Sequence, residues 1–206
     1  EILCAVGCED ALVGRGKYCD YPESISALPV VQSGAETNIE EILALDPQVV
    51  LMSDMSQTEE QAKLLEQNGV KVVISDANDI AGVYTAIRMI GALMAKDDAA
   101  EALIGDMQAT FDEIAAKSEK SGKTIYFEVS PLQWGLWTAG SGTFMDELAT
   151  MCGVTNAFAD ISGWQSVSEE QVIERSPDYI VSIAGMGDTA VEEIMGRDGW
   201  GDIGAG

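Results

Sequence analysis

The residues whose types could support chemistry exclude more than they offer. The chain has 206 residues, with 35 acidic, 11 basic and no histidine. Without histidine there is no Ser-His-Asp or Cys-His catalytic set, and no histidine-held zinc or haem iron. Four cysteines remain, Cys4, Cys8, Cys19 and Cys152, with no C-x-x-C among them. Cys4 and Cys8 have the i, i+4 spacing of neighbours on one helix, which suits a disulfide poorly. Gly122-Lys123-Thr124 has the look of a phosphate loop's end, but Lys117 stands where that loop needs its first glycine. Gly140-Ser141-Gly142 lacks the third glycine of a dinucleotide site, since Met145 holds that position. No G-x-S-x-G elbow occurs. No catalytic residue, metal ligand or cofactor is therefore assigned.

Aromatic residues in stretches that read as irregular are the stronger signal. Tyr18 and Tyr21 lie in GKYCDYPESISALPVV, Trp134 and Trp137 in SPLQWGLWTAGSG, and Trp164 in NAFADISGWQS. These stretches adjoin strand ends and helix starts, the edge at which open α/β sheets bind ligands. Any one of the five reads equally well as local packing. Together they are candidate ligand-binding residues.

The net charge of −24 repels phosphate backbones and excludes nucleic acid as a partner. No apolar run approaches the ~18 residues of a transmembrane helix. Apolar residues make up 47% of the chain, enough for a packed core.

In chain order, TNIEEILALD reads as a capped helix, QVVLM as a buried strand, Thr58–Asn68 as a helix and VKVVIS as a strand. Asp79–Ala95 reads as a helix, and so does Asp97–Ser118, which has room for about 30 Å of unbroken length. ALVG (11–14) is expected as a short strand. KTIYFEV, a helix over 143–151, a helix over 167–175 capped by Ser168, and a strand over 178–183 follow. Strands alternating with helices imply mainly parallel sheets. The expected fold class is α/β, with two similar lobes on either side of Asp97–Ser118. The expected division is an N-terminal lobe (1–80), a helical connection (81–121) and a C-terminal lobe (122–206).

Two segments match. NIEEILALDPQVV and SEEQVIERSPDYI each carry a cap, paired acids, an apolar pair, a proline seven residues after Glu40 or Glu170, and then a strand. Capped helix–turn–strand units can look alike by convergence, but the shared glutamate-to-proline spacing favours a two-lobe repeat.

VGRGKYCDYPESISALPVV, NIEEILALDPQVVL, WTAGSGTFMDELATMCGVTNAF and GWQSVSEEQVIERSPDYIV, in this order, resemble the substrate-binding proteins of ABC importers for cobalamin, iron–siderophores and haem. The resemblance implies two α/β lobes joined by one long rigid helix, the role Asp97–Ser118 fits, in a monomer outside the cytoplasm, periplasmic or lipid-anchored, with a small-molecule ligand held between the lobes. It implies a permease dimer as partner, met by one glutamate per lobe. Glu40 and Glu170 match those positions, with Glu41 and Glu169 as neighbours able to substitute. Tyr18 and Trp164 match cleft aromatics of cobalamin binders, and Trp134 or Trp137 stands where another is expected. The sequence departs from those binders at Gly34 and Ser53, where they have tryptophans. Arg15 and Lys17 are the basic residues near the expected site. A corrinoid is the first ligand implied and a ferric siderophore or haem the alternative. A metal chaperone or enzyme on a similar fold is the alternative of another class. The resemblance also implies that both ends are trimmed, with a strand before EILCAVG and more lobe after GWGDIGAG.

Overall fold

The structure is a computed structural model, and it describes residues 1–33, 36–53 and 58–205. Its first half runs α1 (Ile2–Ala5), β1 (Arg15–Gly16), β2 (Val30–Ser33), β3 (Glu36–Thr37), α2 (Ile39–Ala44), β4 (Val49–Ser53), α3 (Thr58–Gln67), β5 (Lys71–Ser75), α4 (Ile80–Leu93) and α5 (Asp97–Lys117). The second half runs β6 (Thr124–Glu128), β7 (Leu136–Ala139), α6 (Phe144–Met151), β8 (Thr155–Asn156), β9 (Trp164–Val167), α7 (Glu169–Arg175), β10 (Tyr179–Ser182) and α8 (Ala190–Met195). Contacts divide the chain into two compact units, 1–77 with 81–106, and 78–80 with 107–206. The fold is α/β with mainly parallel pairing, as the alternation of elements requires.

In the first unit β4 and β5 pair in parallel with Val49 opposite Lys71, and β1 pairs in parallel with β2. The apolar face of α2 meets that of α3 over Ile42, Leu65 and Val70, with Val50 and Val72 packed against them. Cys4 and Cys8 do not share a helix as their spacing suggests: α1 ends at Ala5, so Cys8 lies beyond it. The ALVG strand is also absent. Leu12 has extended backbone, but pairing begins only at Arg15, opposite Val30, because a strand exists where it finds a partner.

The α5 helix spans 21 residues, as its unbroken pattern demands. It begins at Asp97 itself, so Asp97 and Asp98 lie in its first turn, where the helix dipole favours their charge. Its stripe is buried at Ala100 and Ile104 and opens to solvent by Ile114, which is 39% exposed. No proline and one interior glycine, Gly105, leave it stiff. The turn before it is tight: a Cβ on Gly91 of α4 would lie 2.5 Å from the Ala100 side chain, so glycine permits the close crossing.

In the second unit the sheet order is β10-β6-β8, all parallel. Successive β6 residues serve opposite faces. Tyr126 joins Leu136, Phe158, Val172 and Trp200, while Phe127 joins Ala139, Met145 and Ala149. That double coverage explains the unbroken apolar run Ile125–Phe127 in the middle of the strand. At the strand's end Glu128 is fully buried and paired in a fork with Arg197 at 2.6 and 3.0 Å.

The internal repeat is visible in the backbone. Asn38 caps α2 by accepting from the Glu41 N–H, and Ser168 caps α7 by accepting from the Gln171 N–H. Ile42 and Val172, at matched positions, are both buried. Asp46 and Ser176, matched again, leave their helices in the left-handed region at φ 48° and 43°. Pro47 and Pro177 follow, and then β4 and β10. A residue other than glycine is seldom left-handed, so its recurrence at one repeat position is a strong mark of common design.

Candidate functional site

Two of the five candidate aromatics are carried by the first unit, on the loop between β1 and β2. Pro22 breaks regular structure there, and one 3-10 turn, Glu23–Ala27, anchors the loop by burying Ile25. Tyr18 and Tyr21 are 73% and 69% exposed. The Lys17 ammonium lies 5.7 Å from the Tyr18 ring centroid, a cation–π distance. Arg15 turns its guanidinium inward, donating to the carbonyls of Gly16, Lys17, Cys19 and Ser26.

The other three belong to the second unit, and the sequence misplaced two of them. SPLQWGLWTAGSG is not one loop: a 3-10 turn, Leu132–Trp134, leads into β7, so Trp137 is a strand residue. Trp164 likewise opens β9. The two strands pair antiparallel with Trp137 opposite Ser166 and Ala139 opposite Trp164. Side chains alternate across a strand, so Trp137 and Trp164 share a face as diagonal neighbours, roughly 7–8 Å apart. Leu136 and Thr138, on the other face, are buried.

The shared face is graded from closed to open. Trp164 is half-buried against Phe144 of α6, with ring centroids 5.7 Å apart. Trp137 is 44% exposed, and Trp134 on the preceding turn is 76% exposed. Close approach beyond β7 needs glycine: a Cβ on Gly140 would stand 2.3 Å from the Ile161 carbonyl oxygen. An aromatic surface of this kind offers stacking area to a flat, weakly polar ligand. Phe144, which seats Trp164, was missed in the sequence, since an aromatic at the first position of a helix reads as core. Gly34 lies outside the described residues, and Ser53 is the last residue of β4.

Glu40 and Glu170 occupy the same place, the second residue of α2 and of α7, and both are exposed. The Glu170 carboxyl is held below the usual carboxylate value by hydrogen bonds from its own backbone N–H and from the Ser168 hydroxyl. The neighbours are engaged elsewhere. Glu41 accepts from Asn38 Nδ2 at 3.1 Å, and Glu169 accepts from the buried Trp200 Nε1 at 3.1 Å. Among the described residues, no group of three or more histidine, cysteine, aspartate and glutamate side chains is placed to hold a metal ion. No helix among them is long and apolar enough to cross a membrane.

The sequence matches the periplasmic binding protein model over residues 1–206. The chain belongs to the periplasmic binding protein family. One relative in the family, an uncharacterized ABC transporter substrate-binding lipoprotein, YvrC, of Bacillus subtilis (strain 168), is 32% identical over 100% of this chain and 66% of its own length. The chain thus spans just under two thirds of that protein. The vitamin B12-binding protein of Salmonella choleraesuis (strain SC-B67) is 31% identical over 93% of this chain and 70% of its own. Among solved structures of this family, a possible iron-binding (periplasmic solute-binding) protein from Staphylococcus epidermidis ATCC 12228 aligns at TM-score 0.81 with 31% identity, covering 100% of this chain and 81% of that one. The periplasmic heme-binding protein RhuT from Roseiflexus sp. RS-1 aligns at TM-score 0.88 with 23% identity, covering 100% and 81%, and attests the fold.

Proposed function

We propose that this chain is the substrate-binding component of an ABC importer. It acts outside the cytoplasm, with lobes at 1–80 and 122–206 connected through 81–121, captures a corrinoid and passes it to a dimeric permease. The observation that carries the reading is the repeat that sets one exposed glutamate on the first turn of α2 and one on that of α7. Glu40 and Glu170 are matched in sequence and in backbone, and their neighbours Glu41 and Glu169 are spent on other contacts. A two-fold partner with basic docking points fits such a pair.

The ligand is proposed to contact Tyr18, Tyr21, Trp134, Trp137 and Trp164. A corrinoid is supported by the vitamin B12-binding relatives and by the lack of an uncommitted arginine. Arg15 is used by its own loop, Arg88 by Glu101, Arg175 by Asp160 and Arg197 by Glu128. A free guanidinium is the side chain whose fork best matches the paired oxygens of an anionic iron chelate. The second reading, a ferric siderophore or haem, is favoured by the resemblance to the possible iron-binding protein of Staphylococcus epidermidis.

Titration of the full-length protein with cyanocobalamin, a ferric hydroxamate siderophore and hemin, followed by tryptophan fluorescence, tests the ligand. Cyanocobalamin should quench with saturation, and W137F should remove much of the quench. Saturation only by an iron compound would replace the corrinoid, and flat curves for all three would refute ligand capture. E40K/E170K should leave affinity within about twofold of wild type, equivalent to under ~0.5 kcal/mol, and abolish uptake in cells. Undiminished uptake would refute the docking role.

A further inference from the structure

We infer that Arg15 is the positioning residue of the aromatic loop, holding Tyr18 and Tyr21 ready rather than meeting the ligand itself. This rests on the proposed ligand role of that loop. Arg15 Nη1 lies 3.3 Å from the Gly16 carbonyl oxygen, 3.1 Å from that of Lys17 and 3.2 Å from that of Cys19. Its Nη2 lies 3.1 Å from the carbonyl oxygen of Ser26. These acceptors stand on both sides of Tyr18 and Tyr21 in sequence, so one guanidinium ties the loop's entry to its exit.

Among the described residues, other bonds of the loop each serve one part of it. Cys19 N–H to Gly16, Ile25 N–H to Pro22 and Leu28 N–H to Ile25 are bonds within single turns. The Lys17 N–H bond to the Gln32 carbonyl fixes only the entry, and buried Ile25 only the exit. The chain's other three arginines each take a carboxylate: Arg88 with Glu101, Arg175 with Asp160 and Arg197 with Glu128. Arg15 is ion-paired with none of the described residues, although the chain has 35 acidic residues, and its Nε is buried. Its charge is met by carbonyl dipoles of the segment that carries the tyrosines. A fork of donors can reach carbonyls in two directions, which a lysine ammonium on a flexible stem cannot reproduce. Exposed tyrosines on a loop ordered beforehand spare the ligand the cost of ordering them.

Two measurements on the full-length protein test the inference. Amide hydrogen exchange without ligand compares wild type, R15M and R15K. The amides of Cys19, Ile25 and Leu28 should exchange faster in both variants, while those of 49–53 and 71–75 should not change. Cyanocobalamin titration should show affinity lowered about tenfold in both variants, about 1.4 kcal/mol. Wild-type affinity in R15K would mean that the charge alone matters and would overturn the inference. So would unchanged loop exchange in R15M, or acceleration spread through β4 and β5, which would make Arg15 a general stabiliser. If the wild type binds none of the three probe ligands, the functional reading fails, and the exchange arm still decides whether Arg15 holds the loop.

Discussion

Replacing Arg197 by methionine should unfold the second unit more easily than almost any other single change. Glu128 ends β6 with no exposed surface, and the Arg197 side chain is 4% exposed. The two form a fork at 2.6 and 3.0 Å, a third contact joins Arg197 to Glu193 at 3.1 Å, and the guanidinium carbon lies 4.6 Å from the Trp200 ring centroid. Methionine keeps most of the apolar stem and removes the charge, so the carboxylate of Glu128 is left without a partner in the core. Losing one member of a buried pair costs about 3–5 kcal/mol, against a total stability of about 5–15 kcal/mol for a domain. With a urea slope near 2 kcal/mol/M, the midpoint should fall by about 2 M. Urea unfolding followed by tryptophan emission reads this, because Trp200 is fully buried beside the pair. The control is E128M/R197M. Replacing both charges with apolar side chains removes the uncompensated carboxylate, so the double variant should recover most of the loss. A midpoint shift below about 0.5 M in R197M, or a double variant as weak as the single, would refute the claim that Arg197 chiefly neutralises Glu128.

Other expectations follow from single positions. The Asp178 carboxyl accepts from Lys123 Nζ at 2.6 Å and from the Thr124 N–H at 2.8 Å, and these bonds, the lysine's first, hold its folded pKa below the ordinary value. A carboxylate depressed on folding stabilises above its unfolded pKa, near 3.9, and that stability is lost as pH falls through the folded value. D178N should therefore flatten the acid limb of a stability-against-pH curve below about pH 4, and an unchanged limb would refute it. D46G should raise stability by up to about 1 kcal/mol in thermal unfolding, because Asp46 holds a left-handed φ of 48° that glycine adopts freely. S176G at the matched position should gain less, since it also loses the Ser176 hydroxyl that accepts from the Gly204 N–H at 3.0 Å; equal gains would contradict this. G140A should cost several kcal/mol, because its methyl would meet the Ile161 carbonyl at 2.3 Å and force β7 from β9. A thermal melt within 2 °C of wild type (~0.5 kcal/mol) would show that the ribbon yields instead.

The sequence by itself determined the elements whose signals are local. Asn38 and Ser168 cap helices because their short side chains reach N–H groups a few bonds away, and the paired acids beside them suit the first turn. The 21-residue α5 follows from a pattern free of proline. The repeat was legible because its marks, cap, glutamates and proline, lie within one short segment in each half, and so was the resemblance to the importer-binding family. What tertiary structure alone decided is pairing and the direction in which side chains point. Trp137 and Trp164 were visible as candidates, but only the antiparallel register of β7 and β9 makes them diagonal neighbours on one face, and no local signal encodes a partner far along the chain. Arg15 was legible only as a basic residue near the expected site, and the folded chain turns its guanidinium onto the loop that follows it. Glu128 and Arg197, one acid among 35 and one base among 11, carried no mark at all. Burial singles them out, and burial belongs to the packed chain rather than to any stretch of it.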